Sequence, residues 1–206
     1  MELNKVYLYR MTHIENIPHI FKYGITHPDS INQNLNYYSI GDSSLISKRS
    51  NFLLKGGKTL GDFIPFYFGF RMPMLYVVQK GFNGVTITEP DKIVYCITSI
   101  QKILDLKIDF IFTNGHAINA LTQFYDVNDV KNINDLIDFK AIHAPFWKDE
   151  EDLDLKRRKE AEFLVLGDLS VDTVLGYVVY STDAQLKLLE LGITKEKIVV
   201  KPNFYF

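Results

Sequence analysis

The sequence predicts a mixed α+β fold, and three observations predict it. Short apolar or alternating runs suited to strands recur along the 206 residues between a few helical patterns, without the regular alternation of a doubly wound parallel sheet. A composition 47% hydrophobic and 23% charged suits a chain that buries a core, which excludes collagen-like and largely disordered classes. Neither an internal repeat nor a Gly/Ser/Pro linker interrupts it, so residues 1–206 read as a single domain.

The elements follow in order. Lys5–Arg10 alternates and is Tyr-rich, as a first strand is. Thr12 and Glu15 match a capping box, but that start would put Pro18 inside the helix. Asn16 as N-cap places Ile17 and Pro18 in the first helical positions, and Gly24 closes a short helix. Residues 26–62 are polar and weakly periodic, the mark of a functional or mobile segment. Pro65–Phe70 and Leu75–Val78 read as strands around a bend at Arg71–Met74. Ile93–Thr98 and Phe110–Thr113 are strands, with a short helix over Ile100–Leu104 between them and another helix starting near Asn114. Residues 126–160 are charged and loop-like, with a helical stretch around 150–160. Phe163–Leu166, Tyr177–Tyr180 and Ile198–Lys201 are strands, and Thr182 caps a helix that ends at Gly192.

A formal charge of −2 means that any nucleic-acid binding must rest on a local basic patch and not on the global field. The single cysteine, Cys96, excludes an internal disulfide and a Cys-based zinc knuckle, and reads as a small buried hydrophobe. The N-terminal residues lack the apolar core of a signal peptide, and no apolar run approaches the roughly 18 residues of a membrane span, so a soluble cytoplasmic protein is expected.

Walker A, GxGxxG, HExxH and GxSxG motifs are all absent, and His13, His19, His27, His116 and His143 lack metal-ligand spacing, so no metal is expected. Glu162 is the local oddity: it heads the apolar run 163–166 and shares a strand face with Leu164 and Leu166. Such a carboxylate lies either at a rim or in a cleft, and Glu160 is the decoy one period away. The aromatic density of residues 61–76 makes either a core strand or a stacking wall. Lys48, Arg49, Lys55 and Lys58, with the run Lys156–Lys159, are either solvated faces or a phosphate track.

Five ordered segments carry a resemblance. They are Tyr9–Ile20 with Gly24-Ile25; Ile40-Gly-Asp42 with Lys48-Arg49; Asp62–Phe68 with Arg71–Tyr76; Phe112–Ala117; and Lys156–Val165. Together they resemble the DarT family of DNA ADP-ribosyltransferases, the toxins of DarT/DarG toxin–antitoxin systems. One stretch and one residue depart from the pattern that the family leads one to expect: residues 69–74, Gly-Phe-Arg-Met-Pro-Met, stand where a Pro-Arg-Ser-Pro-Met type of sequence is expected, and Asn114 where Asp is.

The resemblance implies an ADP-ribosyltransferase-like split β-sandwich with flanking helices, clasping NAD⁺ as a consumed co-substrate. It implies transfer of ADP-ribose to a base, most often thymine, in single-stranded DNA. Glu162 matches the family's catalytic Glu. Arg49 falls where a base-proximal arginine assists, with its role open, and His116 is the titrating group suited to proton transfer. Thr12, His13 and Asn16 fall at the NAD⁺ end, and Tyr67 and Tyr76 are stacking candidates that are also core candidates. Arg71 either binds the pyrophosphate or pairs with Asp62. Lys48, Arg49, Lys55, Lys58, Arg157 and Arg158 would follow DNA phosphates. The implied partner is a macrodomain-type antitoxin, and the expected oligomeric state is a monomer. The alternatives are guanine, RNA, protein or water as acceptor, and a non-catalytic binding module of the same fold.

Overall fold

The computed structural model describes residues 2–206. Strand β1 (Tyr7–His13) leads through a helical turn into α1 (Ile17–Tyr23), and α2 (Ser43–Asn51) follows a long polar stretch. Next come β2 (Phe63–Tyr67), α3 (Pro73–Lys80), β3 (Ile93–Ser99), α4 (Ile100–Asp105), β4 (Phe110–Thr113) and β5 (Phe124–Tyr125). The short helices α5 (Ile133–Leu136), α6 (Phe139–His143) and α7 (Leu155–Lys159) precede β6 (Glu162–Leu166), β7 (Gly176–Val179), α8 (Thr182–Glu190) and β8 (Ile198–Val200).

The strands form one eight-stranded sheet in the order β5-β4-β6-β2-β1-β3-β7-β8. Neighbours are antiparallel except β7 and β8, which are parallel. The order is not that of a doubly wound sheet, in agreement with the expected α+β class. The implied split lies between β1 and β2, which meet in register only at Tyr9 opposite Tyr67, whereas β1 and β3 pair along their full length.

Side chains alternate across this sheet, so each strand feeds two cores. One face carries the large cluster, including Leu8, Ile64, Phe66, Cys96, Phe163 and Val165. The other face carries two smaller ones. Leu75, Val78, Ile93 and Tyr95 pack over the β1–β3 half, and Leu60, Phe63, Ala117 and Leu164 over the β2–β6 half. Cys96 is buried as expected, and burial pushes its thiol up to about 12.

Several expectations are corrected. Leu75–Val78 is not a strand but lies in α3: Pro73 opens the helix, Gly81 closes it at φ 71°, and Leu75, Val78 and Gln79 form its buried stripe. The segment 26–62 contains α2, whose N-cap Asp42 accepts from the amides of Ser44 and Leu45. No helix starts at Asn114; turns lead instead to the short strand β5, which sequence reading missed. The strand expected at Pro65–Phe70 is β2, Phe63–Tyr67, and the first strand runs on to His13. Ser181, not Thr182, caps α8 by accepting from the Ala184 amide. The helix α1 has the expected bounds, but the Asn16 side chain makes no capping bond.

Candidate active site

Glu162 is the first residue of β6 and stands opposite Tyr67 on β2, which in turn stands opposite Tyr9 on β1. This row crosses the joint between the half-sheets, in the gap between the two smaller clusters. Glu162 is not a rim residue: it is only 1% exposed. Its Oε1 accepts from the Ala117 amide at 2.8 Å, and its Oε2 accepts from Arg49 Nη1 at 2.7 Å. Thr113 Oγ1 accepts from the Glu162 amide at 3.0 Å, so the end of β4 and the turn after it wrap the strand head.

That turn is braced from α7. Arg157 donates to the backbone and side-chain oxygens of Asn114 and to Thr122 Oγ1, and forms a two-pronged ion pair with Asp154. Gly115 is needed for this crossing, because a Cβ there would meet Arg157 Nη1 at 2.2 Å. His116 follows, half-buried, with its amide bonded to the Arg157 carbonyl at 3.0 Å. Burial lowers the His116 pKa; nearby Glu162 opposes this, while Arg49 and Lys156 add to it.

Arg49 reaches Glu162 from the last turn of α2. Its Nη2 is buried without a hydrogen-bond partner. A buried guanidinium nitrogen left unpaired beside a carboxylate is what a site looks like when it awaits a polar ligand. Burial, followed by the charges of Glu162 and Glu160, raises the Tyr67 pKa.

Past the end of β1 lies a second polar group. Asn16 is fully buried; its Nδ2 donates to Thr12 Oγ1 and to the Tyr38 carbonyl, both at 2.9 Å, and its Oδ1 accepts from the Tyr38 amide at 2.8 Å. The Tyr38 ring stacks on buried His13 at 3.9 Å. Burial lowers the His13 pKa. Asn16 thus fastens the polar segment to the end of β1 instead of capping α1. Sequence reading missed Tyr38 and Thr113; an aromatic in a polar segment and a threonine ending an apolar strand gave only weak signals.

The other named residues fall elsewhere. Tyr76 stacks on Phe82 and meets Trp147 and Phe206 edge-on, an aromatic cluster that shares no contact with Glu162 or Arg49. Arg71 does not pair with Asp62, whose Oδ2 instead accepts from the Thr59 amide at 2.7 Å. Lys48, Lys55, Lys58 and Lys156 are exposed. Arg157 and Arg158 are not free: Arg158 pairs with Asp138, Asp152 and Asp154, so both guanidiniums brace this chain.

A buried carboxylate flanked by a guanidinium, a neutral imidazole and a tyrosine is suited to stabilise a sugar cation and to handle one proton. The family model described as "ssDNA thymidine ADP-ribosyltransferase, DarT" matches residues 9–206. The chain belongs to the DarT family. It is 30% identical over 187 residues to a DNA ADP-ribosyl transferase of Escherichia coli O127:H6, covering 89% of this chain and 84% of the relative. It is also 30% identical to a DNA ADP-ribosyl transferase–DNA ADP-ribosyl glycohydrolase fusion protein of Thermosipho africanus, over 97% of this chain and 49% of the fusion. The Thermus sp. 2.9 DarT solved with ADP-ribosylated ssDNA superposes with a TM-score of 0.85 at 24% identity, covering 98% of this chain and 96% of the other; the same protein solved with NAD⁺ gives 0.79 at 23%, over 98% of each. This DarT chain is accordingly an ADP-ribosyltransferase. Among its described residues no helix is long and apolar enough to cross a membrane.

Proposed function

We propose that this chain transfers ADP-ribose from NAD⁺ to the ring N3 of thymine in single-stranded DNA, with Glu162 as the catalytic carboxylate. The observation that carries the assignment is the row Tyr9–Tyr67–Glu162, which puts a buried carboxylate across the joint of the sheet beside Arg49 and His116. The bond between nicotinamide and ribose C1′ breaks, and its electron pair leaves on the nicotinamide nitrogen. Glu162 holds the ribose hydroxyls and stabilises the oxocarbenium-like sugar. N3 then bonds to C1′, and its proton passes to neutral His116. Arg49 orients the base and offsets the negative charge that N3 gains; as a guanidinium it is a poor base.

Thr12 and His13 hold the donor from the His13 end, where Asn16 fixes the Tyr38 segment beside them, with Tyr67 under the nicotinamide ribose. Tyr76 serves the aromatic core. Lys48, Lys55 and Lys58 follow DNA phosphates. Target rings inside a duplex are paired and stacked, which explains the single-strand preference. Residues 1–206 act as one monomeric domain in the cytoplasm. The partner is a macrodomain-type hydrolase that removes ADP-ribose; the fusion of a transferase with a DNA ADP-ribosyl glycohydrolase in the Thermosipho relative supports this.

Mass spectrometry of oligonucleotides incubated with the protein and NAD⁺ tests the reading. An ADP-ribose adduct on thymine, absent with Glu162→Ala, is expected. An adduct on guanine overturns the base assignment, and NAD⁺ loss without any adduct makes the enzyme a glycohydrolase.

A further inference from the structure

Arg71 and Lys159 line one cavity of about 210 Å³, together with Phe70, Ile142, His143 and Asn203 among its walls. Among the described residues neither cation forms an ion pair. Lys159 is 1% exposed, and its Nζ donates to the carbonyls of Ile142 at 2.8 Å and Ala144 at 2.7 Å, which leaves one N–H unused. The guanidinium of Arg71 lies over the Phe206 ring at 4.5 Å, and its Nε is buried with no partner. Its backbone is held at φ 53°, uncommon for a bulky residue.

Two largely buried cations sharing a cavity repel each other, and a bound anion relieves that cost. Burial and then Arg71 bring the Lys159 ammonium down to about 8. Adjacent Glu160 opposes this as the smallest of the three influences, and burial pushes its own carboxyl up to about 7.

The register fixes which side of the reaction centre this cavity serves. Strands β1 and β6 are both antiparallel to β2, so they run the same way. His13 ends β1, whereas Lys159 ends the helix that feeds β6. Arg71 follows β2 beyond Tyr67. Both cations therefore lie on the opposite side of Glu162 from His13.

We propose that this cavity binds one phosphodiester of the DNA strand that presents the acceptor base. The proposal rests on the transferase reading, in which the donor enters from the His13 side and leaves this side to the acceptor. It takes Arg71 away from the NAD⁺ pyrophosphate.

The test uses Glu162→Gln protein, so that no transfer occurs. Anisotropy measures binding of labelled thymidine-containing oligonucleotides in which each phosphodiester in turn is a neutral methylphosphonate, and calorimetry measures NAD⁺ binding. At one position the replacement weakens binding about tenfold. Arg71→Gln weakens binding of the unmodified strand by the same factor, the two changes together weaken it no further, and NAD⁺ binding is unchanged. Lys159→Gln, whose amide still donates to the two carbonyls, repeats the result and replaces Arg71→Gln if that variant does not fold. Equal DNA binding in both variants, additive losses, or loss of NAD⁺ binding instead overturns the proposal. Failure of every oligonucleotide to bind the parent, with NAD⁺ still bound, overturns the DNA reading itself.

Discussion

Arg49 Nη1 lies 2.7 Å from Glu162 Oε2, and this one contact ties α2 to the head of β6 across 113 residues of sequence. It also covers the carboxylate. With the Ala117 amide on Oε1 and Arg49 on Oε2 both carboxylate oxygens are engaged, while Arg49 Nη2 stays buried without a partner among the described residues.

Glu162→Gln keeps an oxygen for the Ala117 amide but removes the charge that meets the sugar cation. Transfer to DNA falls by at least about a thousandfold. The variant still folds, because the turn around residue 117 keeps its bond. Oligonucleotide mass spectrometry and circular-dichroism melting check the two halves; a fully active variant removes Glu162 from the reaction.

Arg49→Ala leaves NAD⁺ affinity close to that of the parent and cuts transfer to DNA by about a hundredfold or more. Calorimetry with NAD⁺ set against single-turnover transfer separates the two effects. Parallel losses in both make Arg49 a donor-binding residue.

In the proposed reaction His116 accepts the N3 proton only while neutral. Its pKa is lowered from 6.5, chiefly by burial, so the imidazole is neutral at and above pH 6.5, and transfer declines as pH falls below that value. His116→Gln is slower by about 10²–10⁴ and loses this acid limb. A pH–rate profile of the single-turnover step checks both, and an unchanged limb in the variant assigns it to another group.

Glu160 titrates oppositely. Its pKa is raised from 4.5 to about 7, mainly by burial. Between those values the folded chain holds the proton more tightly than the unfolded one, so the stability it contributes is full below pH 4.5 and lost as pH rises to 7. Glu160→Gln stays neutral throughout. Its Tm minus that of the parent therefore increases from pH 5 to pH 8, and a flat difference across that range shows that Glu160 is not buried as described.

Much of the fold was legible. Ile93–Ser99 and Glu162–Leu166 are runs of β-branched and large apolar residues that suit nothing but buried strands. Leu75–Val78 has the same local character and misleads, because Pro73 and Gly81 outside it decide for a helix. The turn after Thr113 is held by Arg157 from 43 residues away, a contact that no local pattern announces. At the site, residue types were legible and partnerships were not. Glu162, Arg49 and His116 stood out by segment, but the ion pair, the neutral imidazole and the Asn16 fastening arise only from long-range packing. Arg157 and Arg158 read as phosphate ligands because the acids that bind them, Asp138, Asp152 and Asp154, are scattered through a charged stretch.

The sheet is seamed where Tyr9 faces Tyr67. Elsewhere, widening a gap between neighbouring strands means unzipping a run of backbone bonds. Here one register pair and the bond from Arg10 to the Pro65 carbonyl join the two lips, while the large core on the opposite face runs under both like the spine of a book. The candidate site sits on this thin line, so in the proposed reaction the dinucleotide and the single strand meet Glu162 where neighbouring strands share the fewest register pairs, while the long β1–β3 and β2–β6 ladders on either side hold their shape.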